Sequence, residues 1–475
     1  MRVRQRVRPL AAFAFASLVG LLGLALCALS KAEEPRTELP PPSQPPALTL
    51  SAAVQWALEH NPALATFRRN RGIADAAVLI ARQYPFNPIV QDFVWYGNGP
   101  ADAGVTNHVF NEHTARLDLE LNHQGRYRRA MAQSALTRTE WEIAAQELLT
   151  SIQVTRAFNT LLYREGKYRV LEEGAEFTEQ VADLTKQLVD QGTLRSADLL
   201  LARADVTESR NSLGPGRSLV IVAQNDLRRA LGMISESFEL EGTLEKGFVP
   251  PSANFLVQAG LERRPDLHAL EFAVREADNR LRLEVANRWG NPSLGPAFEY
   301  NETSVFFVGS WLIWSPPILN QRRGEIRQRE AERARAMQAL QQGEIQVRQD
   351  VFAALARLTQ AEEVVNNFRT QTLPSLRKAR EEFDKLYQAG QPGVDLARVI
   401  DIRRRLLRAR DAYLDVLFEL SQAQTDLSAA VADLSFAGCR AASPTSTGEQ
   451  APAQSAAPAE PAGEQLPAPA PIPDK

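Results

Sequence analysis

Residues 57–64, Ala-Leu-Glu-His-Asn-Pro-Ala-Leu, return at 260–267 as Gly-Leu-Glu-Arg-Arg-Pro-Asp-Leu, and each copy opens the same series of patterns. A helical segment follows and ends in Asn-Pro, at Asn87-Pro88 and at Asn291-Pro292. Two short strand-like runs come next, then a basic cluster, 126–129 in one half and Arg322-Arg323 in the other, which opens a very long helical pattern. Far along each pattern a glycine, Gly192 or Gly390, interrupts the run shortly before an Arg-rich helix at 202–210 or 403–410. Self-similarity of this kind marks a tandem duplication, so the chain folds as two copies of one unit, 48–245 and 246–436.

The helical patterns are too long for a globule. A run from Arg126 to Gln191 extends about 100 Å at about 1.5 Å per residue, and the run from Arg322 to Ala389 is similar. Both are rich in Ala, Leu, Gln, Glu and Arg, the composition of extended helices and coiled coils. Leu148, Leu149, Ile152, Val154 and Phe158 recur at helical intervals without forming a span fit for lipid, so these helices are expected to pack on one another in water. Pro374 interrupts the second run, where a kink or break is expected. Gly214-Pro215-Gly216 reads as a joint between helices, and with no flanking Lys it is no phosphate cradle.

The strand-like runs are expected at about 87–96, 108–121, 293–301 and 304–314. From Thr114 to Leu121 alternation is strict: Ala115, Leu117, Leu119 and Leu121 point one way, while Thr114, Arg116, Asp118 and Glu120 point the other. A half-buried strand in a soluble protein gives the same pattern. The aromatic content of the four runs tips the reading toward lipid, since three of the six tryptophans, Trp95, Trp311 and Trp314, fall in them together with Tyr96. Rings with one polar edge suit the headgroup zone, so these four residues are the candidate girdle of a membrane barrel. Four strands cannot close a barrel, and an open apolar sheet would aggregate along its edges; copies of the chain must complete it.

The ends are different in kind. Arg2, Arg4, Arg6 and Arg8 precede an apolar run from Leu10 to Leu29, and Ser30-Lys31-Ala32 supplies small residues around a cleavage point, so 1–32 reads as a secretory signal peptide. The run is also long enough for an uncleaved anchor, and Cys27 offers lipidation, although Leu26 before it is larger than a lipobox wants. Residues 33–47 form a Pro-rich leader and 437–475 an Ala/Pro-rich tail, both expected to be disordered. After cleavage only Cys439 remains, which excludes an intramolecular disulfide.

Chemistry is sparse. The formal net charge is −3 with acids and bases interleaved, so nothing marks a nucleic-acid partner. His60, His108, His113, His123 and His268 never stand four apart and no cysteine supports them, so no metal site is expected. With no Walker loop, dinucleotide fingerprint or nucleophile elbow, the sequence reads as a non-enzyme without a cofactor.

Several segments together resemble the TolC-type outer-membrane efflux proteins, over 48–436. They are Leu50 to Leu64, Arg264-Pro265-Asp266-Leu267, Ser315-Pro316-Pro317-Ile318-Leu319-Asn320-Gln321-Arg322-Arg323-Gly324-Glu325-Ile326, and Tyr387-Gln388-Ala389-Gly390 with the helix through Tyr413-Leu414-Asp415. The Pro-Ile-Leu-Asn and Arg-Gly-Glu-Ile pieces are most similar to the heavy-metal cation efflux branch. The resemblance implies a mostly helical fold with a small β part: a homotrimer whose α-helical barrel of long hairpins crosses the periplasm and continues into an outer-membrane β-barrel of about twelve strands, four per protomer. It also implies a passive exit duct for metal cations or small toxic compounds, with a periplasmic adaptor (membrane fusion protein) and a proton-driven inner-membrane pump of the RND type as partners.

The resemblance directs attention to the two hairpin tips, where family members narrow the mouth with acidic residues. Here the candidates are Gly192 with Asp198, and Gly390 with Asp395, Arg398 and Asp401. Arg398 stands where another acid is often found, and the second tip carries two extra residues. Repeated around a trimer, one Asp becomes a ring of charge that attracts cations. The competing reading is local: Ser196 as N-cap with Asp198 in the first turn complements the helix dipole, and Asp395 does the same. Two rival classes compete with the channel. A periplasmic coiled-coil adaptor or scaffold has no use for aromatic strands, and a secreted enzyme needs a cleft constellation that the sequence lacks.

Overall fold

The computed structural model describes residues 47–100, 102–234, 238–245, 247, 250–388 and 396–438. The expected signal peptide, most of the leader and the tail beyond Gly438 lie outside the described residues, as do Gly390 and Asp395.

The first copy runs β1 (Ala47–Thr49), α1 (Leu50–His60), α2 (Pro62–Arg68), α3 (Asn70–Arg82), β2 (Ile89–Tyr96), β3 (Val109–Asp118), α4 (Gln124–Asp190) and α5 (Ser196–Leu231). β4 (Glu239–Glu241) ends that copy, and the second runs α6 (Ala253–Arg263), α7 (Pro265–Asn287), β5 (Ser293–Tyr300), β6 (Phe306–Ile313) and α8 (Arg323–Asn367), then a π-turn (Phe368–Thr372), α9 (Leu373–Gln388) and α10 (Leu396–Val431). A short 3-10 turn, Leu434–Ala437, closes the chain against Gly438, so order continues slightly past 436. The break at Pro374 takes the form of this π-turn, the wider winding that accommodates a proline ring and a lost N–H. Among the described residues no helix is long and apolar enough to cross a membrane.

Equivalent positions in the copies reach the same backbone by different chemistry. Asn61 caps α2, its Oδ1 accepting from the N–H groups of Ala63 (2.9 Å) and Leu64 (3.2 Å), with Pro62 pre-set at the first helical position. Arg264 takes the same extended conformation before Pro265 but caps nothing; its guanidinium reaches Asp266 and, 2.9 Å away, Asp350 on α8. Gly232, at φ +77°, ends α5 directly under this corner, where a Cβ would lie 2.7 Å from the Pro62 ring. His123 and Arg322, each the residue before a long helix, are both left-handed, at φ 61° and 52°.

Each copy has its own core. Leu48, Ala53, Val54 and Ala57 pack on Val154, Phe158 and Leu161 of α4 and on Leu227 and Leu231 of α5. Leu256 and Val257 of α6 pack on Val351 and Leu358 of α8 and on Leu420 and Leu427 of α10. Burying one such side chain stabilises by roughly 2 kcal/mol, and the layers are spread along the helices rather than gathered into a sphere. The parallel pair β1–β4 closes the first core, with Leu48 opposite Leu240.

One expected joint is absent. Gly214-Pro215-Gly216 lies inside the continuous helix α5, with Pro215 in its interior. Gly216 lies close against α4 instead, where a Cβ would press on Leu171 Cδ1 at 2.8 Å.

Candidate channel surfaces

The four longer strands form one antiparallel sheet in the order β2-β3-β5-β6, so the β3–β5 pairing joins the two copies. Its strands are shorter than the sequence patterns: β3 stops at Asp118, leaving Leu119 and Leu121 beyond it, and β6 stops at Ile313, leaving Trp314 outside. The β3–β5 ladder skips Ala115 and Arg116, where Pro296 has no N–H to donate and where Gly295 approaches so closely that a Cβ would fall 1.7 Å from the Ala115 carbonyl oxygen. Tyr84 donates to the Asp118 carbonyl and Arg128 ion-pairs with Glu120, which fixes the foot of the sheet to the start of α4. In the second copy Arg322, just before α8, lies 2.8 Å from Glu284 and ties the start of that helix to α7.

Register sorts the side chains onto two faces. Val90, Val94, Tyr96, Val109, Ala115, Leu117, Leu294, Pro296, Phe298, Phe306, Val308 and Leu312 share one face, interrupted by Asn111, Ser310 and the pair Asp92 and His113, whose Oδ1 and Nδ1 lie 2.8 Å apart. Gln91, Phe93, Trp95, Phe110, Glu112, Thr114, Arg116, Ala297, Glu299, Phe307 and Trp311 share the other. The apolar face is the more exposed: along β5, Leu294, Pro296 and Phe298 are open while Gly295, Ala297 and Glu299 are half-buried, so the sheet curls with its polar face inward. Among the described residues no helix packs across either face.

The expected girdle is therefore divided. Trp95 and Tyr96 are neighbours on β2 and point to opposite faces. Tyr96 stands on the apolar side at the end far from the helices, near Tyr300 and Phe306, while Trp95 and Trp311 line the inner face. Trp314, at the helix end, donates its indole N–H to the Trp289 carbonyl at 3.1 Å. Trp289, half exposed, joins Trp314 there and escaped the strand patterns because it precedes Asn291-Pro292.

At the first hairpin tip, Gly192 takes φ +74° while its N–H and that of Thr193 bond back to the carbonyls of Val189 and Leu188, both at 2.9 Å. This closes α4 with a Schellman turn. The N-cap of α5 is Arg195 rather than Ser196, and Asp198 serves the cap by accepting the Arg195 N–H at 3.1 Å. On α10, Asp401 pairs with Arg405 (2.8 Å) one turn on, and the Arg398 guanidinium stands over the Phe383 ring, 5.7 Å from its centre. Asp401 and Asp198 are placed on separate hairpins, each with a local partner.

Further up, Lys167 of α4 holds Asp411 (2.7 Å) and Asp415 (2.9 Å) of α10, and Tyr163 donates to Asp415 at 2.6 Å. Burial alone would raise the Asp415 pKa, but the bonds from Tyr163 and Lys167 outweigh it and hold the carboxyl below its ordinary range. Burial, aided by the bond to Asp415, pushes the Tyr163 phenol up. The histidines are engaged locally: His60 stacks on Trp56 at 4.1 Å, and His268 lies 2.9 Å from the Glu262 carbonyl. Among the described residues no group of three or more His, Cys, Asp or Glu could hold a metal ion.

A small curled antiparallel sheet, with no helix packed across either face among the described residues, thus runs into helical hairpins of great length. No protein-family model and no curated protein matches the sequence, but solved structures share the fold. CusC, studied for the conformational changes that accompany folding and transmembrane channel formation, is 18% identical with a TM-score of 0.64 over 80% of this chain and 91% of its own. The outer-membrane channel CmeC of Campylobacter jejuni is 14% identical with a TM-score of 0.63, covering 82% of this chain and 86% of that one. For the open state of the outer-membrane channel MtrE of Neisseria gonorrhoeae the values are 16% and 0.63, over 81% and 89%.

Proposed function

We propose that this chain is one protomer of a trimeric outer-membrane exit duct that serves an efflux pump. The observation that carries the reading is the uncovered sheet, whose convex face is apolar and whose two edge strands, β2 and β6, have no strand partner among the described residues. Water penalises such a face and such edges. Lipid satisfies the face, and β2 of one copy meeting β6 of the next satisfies the edges. Three copies bring about twelve strands, an even number in the range of membrane barrels. An adaptor or scaffold built from the same helices gains nothing from this sheet.

In this reading the hairpins extend into the periplasm, their tips meet a periplasmic adaptor, and an RND-type inner-membrane pump supplies the energy. The duct itself is passive, needing neither cofactor nor catalytic group. Its cargo is metal cations or small toxic compounds, and the resemblance to CusC favours testing metals first. Gly192, Asp198, Gly390, Asp395, Arg398 and Asp401 would shape the periplasmic mouth. Membrane fractionation tests the proposal: recovery in the outer membrane with heat-modifiable gel migration is expected, and recovery in the soluble periplasm would sink it. Asp401→Ala should raise single-channel conductance in planar bilayers; unchanged conductance and cation preference would remove Asp401 from the mouth.

A further inference from the structure

Glu112 and Glu299 are directly opposite one another across the β3–β5 pair, on the inner face of the sheet. The row containing them reads Phe93, Glu112, Glu299, Phe307 across four consecutive strands, two carboxylates flanked on each side by a phenyl ring. Like charges placed directly opposite destabilise a sheet, and neither carboxylate has a hydrogen-bond or ion-pair partner among the described residues. The next row toward the open end is aromatic again. Trp95 is stacked between Phe93 (5.2 Å between centres) and Phe110 (4.8 Å), so a pile of three rings stands beside the carboxylates.

A second observation points to a ligand. Thr114, two residues from Glu112 on the same face, is only 6% exposed, and its Oγ1 has no hydrogen-bond partner. A buried hydroxyl left unmatched costs on the order of 1–3 kcal/mol unless a guest supplies the missing contact. Two carboxylates, an unmatched hydroxyl and a phenyl ring at either end of the row together favour one kind of guest.

We infer that this row is a binding site for organic ammonium cations on the inner wall of the barrel. The positive head would sit between Glu112 and Glu299 and its apolar body would lie against the flanking rings of Phe93 and Phe307, where ring quadrupoles add attraction for a cation. A bare metal ion fits less well, because only two acidic ligands converge and nothing else in the row is a metal ligand. The site rests on the channel reading, which makes the inner face the lumen. Weak, repeated capture of this kind keeps a hydrophobic cation in the water-filled passage and off the lipid wall.

Channel block tests it. Benzyltrimethylammonium added to the full-length protein in a planar bilayer carrying potassium current should reduce that current. The half-blocking concentration should rise about tenfold in the double variant E112Q/E299Q and about threefold in F93L/F307L. Equal block in wild type and E112Q/E299Q overturns the site, as does zinc ion proving the stronger carboxylate-dependent blocker. A protein that conducts nothing at all overturns the channel reading and the site with it, whereas a conducting channel with unaltered block overturns the site alone.

Discussion

Arg404 on α10 donates to Asp205 on α5 at 2.6 Å and thereby binds the second hairpin to the first, across the duplication. Both side chains are nearly half exposed, so the pair contributes no more than about 1 kcal/mol and weakens with salt. Its place matters more than its strength, because it lies in the first turns of the helix that leaves the second tip. Arg404→Gln should speed hydrogen exchange in 396–410 by up to about fivefold, and D205R/R404D should restore protection. Exchange unaltered by either change would show that the hairpins are held by apolar contacts alone.

Two glycines on the inner face separate backbone need from chance. Gly295 lies against β3, with the Ala115 carbonyl 1.7 Å from where a Cβ would stand, whereas a Cβ on Gly309 meets nothing within 4 Å. Backbone cannot yield as a side-chain tip does. Gly295→Ala should therefore abolish the heat-modifiable species, and Gly309→Ala should leave its yield unchanged. Equal yields from the two would mean that the close β3–β5 approach is not needed for assembly.

Two glycines inside the long helices act in opposite directions. Gly174 faces open space in the interior of α4, so Gly174→Ala should stabilise by about 0.5–1 kcal/mol through lost chain entropy. At Gly216 the added methyl would press on Leu171 and Tyr168, and Gly216→Ala should lower the melting temperature, read by circular dichroism at 222 nm. The sequence offered Gly214-Pro215-Gly216 as a joint because Gly and Pro punctuate chains; what it withheld was the proximity of α4, whose Leu171 and Tyr168 crowd Gly216.

The same contrast runs through the sheet. The faces of β3 were legible because Arg116 and Asp118 alternate with Ala115 and Leu117. Those of β2 and β6 were not: Phe93 to Tyr96 and Phe306 to Trp311 are apolar on both sides, and only cross-strand register assigns Trp95 to Phe110 and Tyr96 to Val109. The helices were legible from length and composition alone. The Glu112–Glu299 opposition was invisible, since the partners come from different copies and only the β3–β5 pairing brings them together. Arg195 displaced Ser196 as the cap of α5 for a similar reason, because the Asp198 side chain reaches back to the Arg195 N–H and makes that residue the boundary.

Acid should loosen the α4–α10 contact. Asp415 is held ionised by Tyr163 and Lys167, so its folded pKa lies below the unfolded value of about 3.9. As pH falls through about 3.9 the unfolded chain takes up its proton first, and stability drops between that point and the lower folded pKa. Asp266 behaves alike: burial would raise its pKa, but the Arg264 hydrogen bond overrides this and lowers it. Asp415→Asn should melt earlier than wild type at neutral pH, and the gap should close as pH falls below about 4. A gap constant from neutral to acid pH would show that the charge on Asp415 contributes nothing to folding.

The division of the aromatic residues gives the most direct test of which side of the sheet meets lipid. Trp95 and Trp311 share the inner face with Glu112, Arg116 and Glu299, so in a membrane they should contact water in the lumen. Trp314, at the helix end and half exposed, should lie near the acyl-chain boundary, where interfacial tryptophans settle. The fluorescence lost on W95F or W311F substitution, obtained by difference from wild type in vesicles, should be quenched by aqueous iodide and indifferent to brominated acyl chains. For W314F the lost component should respond to the brominated lipid. Bromine quenching of the Trp95 component would turn the sheet inside out: the Val90, Val94 and Val308 face would then line the passage, and Glu112 and Glu299 would face hydrocarbon, where an unpaired carboxylate pair is costly.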